Sequence, residues 1–295
     1  MQSSIAGVRW ARPDQLGEAL SHLRGGGWTV LAGGTDLYPA WAGRAADASL
    51  LDISGLDSLR GIWQEPHETG GRLRIGALTT WTDIVRARLP RALDALVMAA
   101  REIGGAQIQN RGTLGGNLCN ASPAADGVPA LLALDARVEL ASAGGVRSLA
   151  LADYVLGNRR TARRADELLT AVLLPLRGPA MRSLFLKLGH RRYLVISIAM
   201  AGLALEADAQ GRIARCAVAV GACSAAAQRL PQLEARLLGL PAHEVARGVE
   251  PLLDDGVLAP LSPIDDVRGT AAYRREAVSR LLARGLAELA AELAR

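Results

Sequence analysis

Two short stretches constrain this chain more than anything else in it. The first is Ala32-Gly33-Gly34-Thr35-Asp36-Leu37, which follows an apolar run at 28–31 that reads as a strand. The second spans 107–126 and reads QIQNRGTLGGNLCNASPAAD, between a helical segment at 93–103 and an apolar helical run at 128–134. Both hold a glycine pair beside a threonine. Paired glycines reach positive φ and bring bare N–H groups close to a ligand. Downstream, Ser122 suits a helix N-cap and Pro123 a first helical turn, and a helix N-terminus beside free N–H groups is an anion site. Two loops of this kind fit two phosphates, or the two sides of one pyrophosphate. Neither is the dinucleotide fingerprint GxGxxG or the phosphate loop GxxxxGK[ST], so the Rossmann and nucleotide-triphosphatase readings lose their main support.

The rest of the composition narrows the field by exclusion. With 295 residues, half of them hydrophobic, the chain is long enough for two domains rather than one. It has no uninterrupted apolar run of the roughly 18 residues that a membrane helix needs, and the opening MQSSIAGVRWARPDQ lacks a basic segment followed by an apolar one. A cytoplasmic location is expected. Cys119, Cys216 and Cys223 are too few and too scattered for a disulfide framework, a zinc site or a four-thiolate cluster, and His22, His67, His190 and His243 show no ligand spacing. No metal site is expected. Of the 34 basic residues only Lys187 is a lysine. The arginines are spread along the chain except for Arg159-Arg160 and Arg163-Arg164, a cluster that reads as a solvated loop. With few aromatics to stack on bases, no nucleic-acid surface is expected.

Along the chain, an amphipathic helix is expected from 13 to 24, ended by Gly25-Gly26-Gly27, then strands at 28–32 and 50–53 and a hairpin over 61–76 with its turn in HETGG. Thr79-Thr80 should cap a helix at 81–88, with a longer helix at 91–103. After the central loop come a strand at 137–141, a helix at 152–156 and a strand at 167–174 closed by Pro175. Near residue 178 the pattern changes. Three long β candidates follow, at 183–189, 196–207 and 213–223, the last two joined by the hairpin signal ADAQGR. Helices are expected at 233–238, 243–253 and 267–294. Strands followed by helices indicate an α+β domain with an antiparallel sheet.

AGGTDL at 32–37 together with NRGTLGGNLCNASPAAD at 110–126 resembles the FAD-binding medium subunits of the molybdenum hydroxylases, of carbon monoxide dehydrogenase and xanthine dehydrogenase type. The likeness covers nearly the whole chain in length, order and motifs. It implies a two-part FAD-binding domain of the vanillyl-alcohol-oxidase/PCMH type over 1–178, with parts at 1–57 and 58–178, and a smaller C-terminal α+β domain over 179–295 with a three-stranded antiparallel sheet and helices. It implies FAD as the cofactor of this chain. A large partner would hold a molybdenum cofactor and a small partner two [2Fe–2S] clusters, in an assembly expected as a dimer of heterotrimers. Electrons would pass from the clusters to FAD and on to an acceptor. NAD-linked relatives carry acidic residues a little after the lysine, whereas the run LGHRRYLVIS has none, so NAD, oxygen, quinone or another acceptor all stay open.

By the same resemblance, the cofactor residues are Leu31, Ala32, Gly33, Gly34, Thr35, Asp36 and Leu37; Ile103, Gly104 and Ile108; Thr113, Gly115, Gly116, Asn117, Asn120, Ser122 and Asp126; and Leu169 and Lys187. Backbone N–H groups of Gly33, Gly34, Gly115 and Gly116 would hold the pyrophosphate. Lys187 would be a compact cation near the flavin, and Asp126 would hydrogen-bond the cofactor or compensate a helix dipole. Leu169 and Ile103 would pack on the ring, and Tyr193 would lie near it. Asp266, Arg268 and Tyr273 in DDVRGTAAYR match a C-terminal motif or, more simply, a capped helix start. No nucleophile–base set and no paired carboxylates are placed for covalent or acid–base work, so no catalytic residue is assigned. A flavin brings its own redox chemistry and the protein supplies position and electrostatics. Two other readings fit the same loops, a stand-alone FAD-dependent oxidase or reductase and a non-enzymatic nucleotide-binding module.

Overall fold

The structure is a computed structural model that describes residues 3–5, 8–42, 48–68 and 70–295. Thr69, in the expected HETGG turn, lies outside the described residues. Among the described residues, three larger sheets follow one another along the chain, with a two-stranded ribbon of Val155–Gly157 and Arg160–Thr161 beside the second.

The first sheet has four strands: Ser3–Ile5, Val8–Ala11, Leu50–Asp52 and Thr29–Leu31, in that spatial order. Leu50–Asp52 runs parallel to both of its neighbours. Parallel neighbours need a crossover, and the helix Leu16–Arg24 supplies one. It buries Ala19, Leu20 and Leu23 on a single face and stops at Gly25. The helix starts later than expected, because Gln15 rather than Pro13 or Asp14 holds the N-cap position. Leu51, Ile53, Leu56 and Leu59 join that helix in a small core that also takes in Leu78, Ala141 and Leu168 from the next part. The first sheet is thereby fastened to the second.

The second sheet has five strands in the order Ile62–Glu65, Arg72–Gly76, Leu168–Pro175, Arg137–Ser142 and Gly145–Ala150. All of its pairings are antiparallel. The central strand LLTAVLLP is buried at every position but its last, which is why its sequence reads as one apolar run and not as an alternation. Val172 lies opposite Ile75 on one side and Val138 on the other. The register shifts between Leu169 and Ala171, a bulge of the kind that re-aims side chains. Helices Trp81–Arg86, Asp94–Glu102, Leu114–Asn120 and Gly127–Ala133 complete this part. Thr80 opens the first of these with a full capping box, its hydroxyl accepting from the Asp83 N–H while the Asp83 carboxylate accepts from the Thr80 N–H. The expected helix at 152–156 is instead a single turn, Leu151–Tyr154, that runs into the strand Val155–Gly157.

Past Pro175 lies an antiparallel sheet of Met181–Leu188, Ala199–Ala207 and Ile213–Gly221, the three long strands expected, with a two-residue fourth strand, Gln228–Arg229, added at its edge. The helix Ala271–Leu293 lays Val278, Leu282, Leu286 and Leu289 against it. Gly285 lets them approach, since a Cβ there would stand 2.4 Å from the Leu203 side chain. On the other side of the sheet, all seven residues of Gly127–Ala133 are buried. A Cβ at Gly202 would meet the Pro129 carbonyl oxygen at 2.3 Å, so that helix is clamped between the second and third sheets. Among the described residues no helix is long and apolar enough to cross a membrane.

Candidate functional site

The first glycine loop leaves the strand Thr29–Leu31 and enters the short helix Leu37–Ala40. Its glycines are there because nothing larger fits. A Cβ at Gly33 would sit 2.0 Å from the carbonyl oxygen of Arg111, and one at Gly34, where φ is +74°, would sit 2.5 Å from the Tyr38 ring. No described residue accepts a hydrogen bond from the N–H groups of Gly33, Gly34, Thr35 or Asp36. Four successive amides without partners require an external acceptor or water.

The second loop is built differently. Thr113 is the N-cap of Leu114–Asn120, and its hydroxyl accepts from the Gly116 N–H at 3.1 Å. The Gly115 N–H donates to the Ala77 carbonyl at 2.8 Å. The expectation that Gly115 and Gly116 offer their N–H groups to a pyrophosphate is therefore corrected, because both amides are engaged within the fold. Gly115 is required for packing, since a Cβ there would meet the Ala77 oxygen at 2.8 Å. The helix start expected at Ser122-Pro123 is corrected too. Ala121, at φ 47°, ends the helix in a left-handed conformation. Ser122 then accepts from the Ala124 N–H in a turn, and the next helix begins only at Gly127.

The loops face each other across a cavity of about 600 Å³, a size typical of small-molecule and cofactor sites. An amide hydrogen bond of 3.1 Å from Asn120 Nδ2 to Asp36 Oδ1 ties their ends together. The cavity wall brings together Leu31 to Leu37, Ile103, Ile108, Thr113, Gly115, Gly116, Asn117, Asn120, Ser122 and Leu169. Leu168 and Leu169 are adjacent on a strand yet both reach the wall, at the place where the register shifts. Asn117 Oδ1 is buried with no hydrogen-bond partner among the described residues, a cost that a ligand donor would remove.

Three expected residues stand outside this wall: Gly104, Asp126 and Lys187. Lys187 donates to Asp126 Oδ2 at 2.7 Å and to the Glu102 carbonyl at 3.3 Å, while the Ser197 hydroxyl donates to Asp126 Oδ1 at 2.6 Å. Burial pushes the Asp126 carboxyl above the ordinary carboxylate range, against the pull of Lys187 and Ser197. The pair anchors the third sheet to the start of helix Gly127–Ala133, and Asp126 makes no side-chain capping bond. Tyr193 is 64 % exposed and is not part of the wall. Asp266 pairs with Arg268 and with the buried Arg274, and Thr270 caps the last helix by accepting from the Tyr273 N–H. Burial raises the Asp266 carboxyl, but the Arg268 N–H and the two guanidinium groups outweigh it and hold the group at about 2.

Sequence reasoning missed several wall residues. Trp28, Ala77, Trp81 and Cys119 line the cavity, as do Arg159 and Arg163 from the cluster read as a solvated loop. The signal for the arginines was their density on the segment that enters the wall strand Leu168–Pro175; nothing in the sequence says which side that segment covers. Cys119 Sγ lies 3.2 Å from the Tyr154 hydroxyl, on a residue that is exposed where it lines the cavity. Among the described residues, no cluster of three or more His, Cys, Asp or Glu is arranged to hold a metal ion.

The cleft between two small α+β parts thus sets amides without a partner among the described residues beside polar side chains, the donors and acceptors that a phosphate-bearing ligand uses. Comparison with known proteins makes the class specific. Residues 5–177 match the family described as "FAD binding domain in molybdopterin dehydrogenase", and residues 185–289 match "CO dehydrogenase flavoprotein C-terminal domain". The chain belongs to this family of FAD-binding medium subunits of molybdenum-containing dehydrogenases. It is 34 % identical over 255 residues to the nicotinate dehydrogenase FAD-subunit of Eubacterium barkeri, covering 84 % of this chain and 83 % of that one. It is 32 % identical over 291 residues to the carbon monoxide dehydrogenase medium chain of Afipia carboxidovorans, covering 93 % and 94 %. Among solved structures, reconstituted CO dehydrogenase from Oligotropha carboxidovorans superposes with a TM-score of 0.87 at 26 % identity, over 98 % of this chain and 99 % of that one.

Proposed function

We propose that this chain is the electron-transfer subunit of a molybdenum hydroxylase, taking electrons from [2Fe–2S] clusters of a small partner and delivering them through FAD to an external acceptor. A large partner carries the molybdenum cofactor and the substrate site, and the assembly is a cytoplasmic dimer of heterotrimers. The observation that carries the reading is that one cavity wall holds both the four amides from Gly33 to Asp36, which have no partner among the described residues, and Asn117, whose buried side-chain oxygen has none either. Those amides suit the oxygens of a diphosphate, and Asn117 Oδ1 suits a donor on the same ligand. Thr35 and Ser122 add hydroxyls, and Leu169, Ile103 and Ile108 add an apolar wall for an aromatic ring system. When bound, FAD supplies the exchange between single-electron donors and a two-electron acceptor. The protein's part is to hold the diphosphate, bury the ring and exclude bulk water.

Two further facts support the division of labour. Three cysteines cannot ligate an iron–sulfur cluster of four thiolates, so single-electron donors belong to another chain. All three cysteines are free, which suits a reducing compartment. We place the change from cofactor domain (1–178) to C-terminal domain (179–295) near residue 178, between the two matched families, with the cofactor domain itself divided near residue 57.

An absorption spectrum of the purified chain, with FAD added where it is colourless and heat release of the flavin afterwards, tests the proposal. A flavin spectrum without an iron–sulfur shoulder, with FAD released intact, is expected. A chain that takes up no FAD, alone or with its partner subunits, overturns the reading.

A further inference from the structure

The cavity wall contains two positive charges that no described carboxylate neutralises. Arg159 and Arg163 both line it. Neither forms a salt bridge with a described residue, in a chain where many arginines are paired. The carboxylate nearest to Arg163 in sequence, Glu167, is bonded to Arg147 instead, through Arg147 Nε at 2.5 Å and Nη2 at 2.8 Å. Arg163 uses one nitrogen, Nη1, on the carbonyls of Glu167 at 2.7 Å and Arg164 at 3.1 Å. That fixes the guanidinium in place and leaves its remaining donors for something else. Arg159 has no side-chain hydrogen bond to a described residue.

The backbone at Arg159 adds an independent observation. It occupies the tight turn between Val155–Gly157 and Arg160–Thr161, where Gly157 pairs with Arg160. Its φ is 53°, a left-handed conformation that glycine or asparagine adopts at lower cost. Its N–H donates to the Ala121 carbonyl at 3.1 Å. That places the turn one residue from Asn120, the residue that ties down Asp36. Asp36 is thus a negative charge at the end of the loop whose amides await an anion, and the arginines bring the opposite sign to the same cavity.

Resting on the flavin reading above, we infer that Arg159 and Arg163 are cofactor-specificity residues: they neutralise the diphosphate of the dinucleotide, so that the cavity selects a charged dinucleotide over an uncharged flavin. The Gly33–Asp36 amides supply direction, and the two guanidinium groups supply the charge balance that Asp36 would otherwise spoil.

The test uses the full chain freed of flavin, titrated with FAD and with riboflavin at several salt concentrations. The Arg159→Ala and Arg163→Ala variants are each expected to weaken FAD binding by roughly tenfold or more, the size of one charge-assisted hydrogen bond. They are also expected to flatten the salt dependence, because less attraction remains to be screened. Riboflavin binding is expected to change little. Arg159→Lys and Arg163→Lys keep the charge and should retain most of the salt dependence, which separates a charge effect from a folding defect. If the wild type binds FAD and the alanine variants match its affinity and salt slope, the arginine assignment fails while the flavin reading stands. If the wild type binds no FAD, both fall together.

Discussion

The two glycine loops look alike in sequence and behave oppositely in the fold. At Gly33-Gly34 the pair exists so that the chain can lie on the backbone of Arg111, and the amides from Gly33 to Asp36 have no partner among the described residues. At Gly115-Gly116 the pair exists so that a helix start can lie on Ala77, and its amides are taken by Ala77 and Thr113. The first loop offers backbone donors to a ligand. The second offers side chains, of which Asn117 matters most because its carbonyl oxygen is buried without a partner. Close approach and positive φ both select glycine; only the hydrogen bonds separate the loop whose amides are unengaged from the loop whose amides are taken within the fold.

Four substitutions would break or sharpen that contrast. Gly33→Ala should have the largest effect. Its Cβ would fall 2.0 Å from a backbone oxygen, so the loops must part, with loss of about 3 kcal/mol of stability. Thermal melting and flavin titration should both register it, and a variant that melts and binds like the wild type would refute the close-approach account. Next comes Asn117→Ala, expected to weaken FAD binding by about ten- to a hundredfold while leaving the melting temperature unchanged or raised, because it removes an unsatisfied polar atom from the free protein. A drop in melting temperature without a binding change would reverse the assignment of this residue. Thr113→Ala removes the cap of Leu114–Asn120 and should cost about 1 kcal/mol in chemical denaturation, with only a secondary effect on affinity. Smallest is Asn120→Ala. It cuts the exposed 3.1 Å link to Asp36 and should move stability by no more than about 1 kcal/mol. A much larger loss would mean that the second loop holds the first in shape.

Acid stability offers a control remote from both loops. Asp266 is held at about 2 in the folded chain, below the roughly 3.9 of an unperturbed aspartate. A depressed carboxyl contributes stability that is complete above the unfolded value and is lost as pH falls toward the folded one. Denaturation of Asp266→Asn followed from pH 6 to pH 2 should therefore show a shallower fall between about 4 and 2 than the wild type, with the neutral-pH flavin affinity unchanged.

How much of this was legible in the sequence varies with the physics behind each feature. The central strand at Leu168–Pro175 and the three long strands after residue 178 were readable because burial writes itself as apolar runs bounded by Pro and Gly. Both cavity loops were readable from their glycines. The state of their amides was not, because the partner of Gly115 is Ala77, in a strand-end turn distant along the chain. Ser122-Pro123 imitates a helix start but sits in a turn, since Ala121 ends one helix and Asp126 precedes the next. Lys187 and Asp126 were each singled out for proximity to a cofactor, and the fold joins them to each other. A pairing between residues 61 positions apart leaves no local trace. Arg159 and Arg163 are a different case: most of their cluster is exposed, as charge runs usually are, but the turn at Gly157–Arg160 also brings these two onto the cavity.

The clamped helix Gly127–Ala133 bears on how the chain could be divided. One side of it belongs to the second sheet's core and the other rests on Gly202 of the third, while the Pro123 carbonyl just before it accepts from the Ala222 N–H. The cofactor cavity and the C-terminal sheet thus share a keystone. Cutting the chain near residue 178 would not release a finished flavin module; it would strip the buttress from behind Ser122 to Ala125 and leave one face of a buried helix in water. The seam between the two matched families is a boundary of sequence, while in mechanical terms the two sides of it share one buried support.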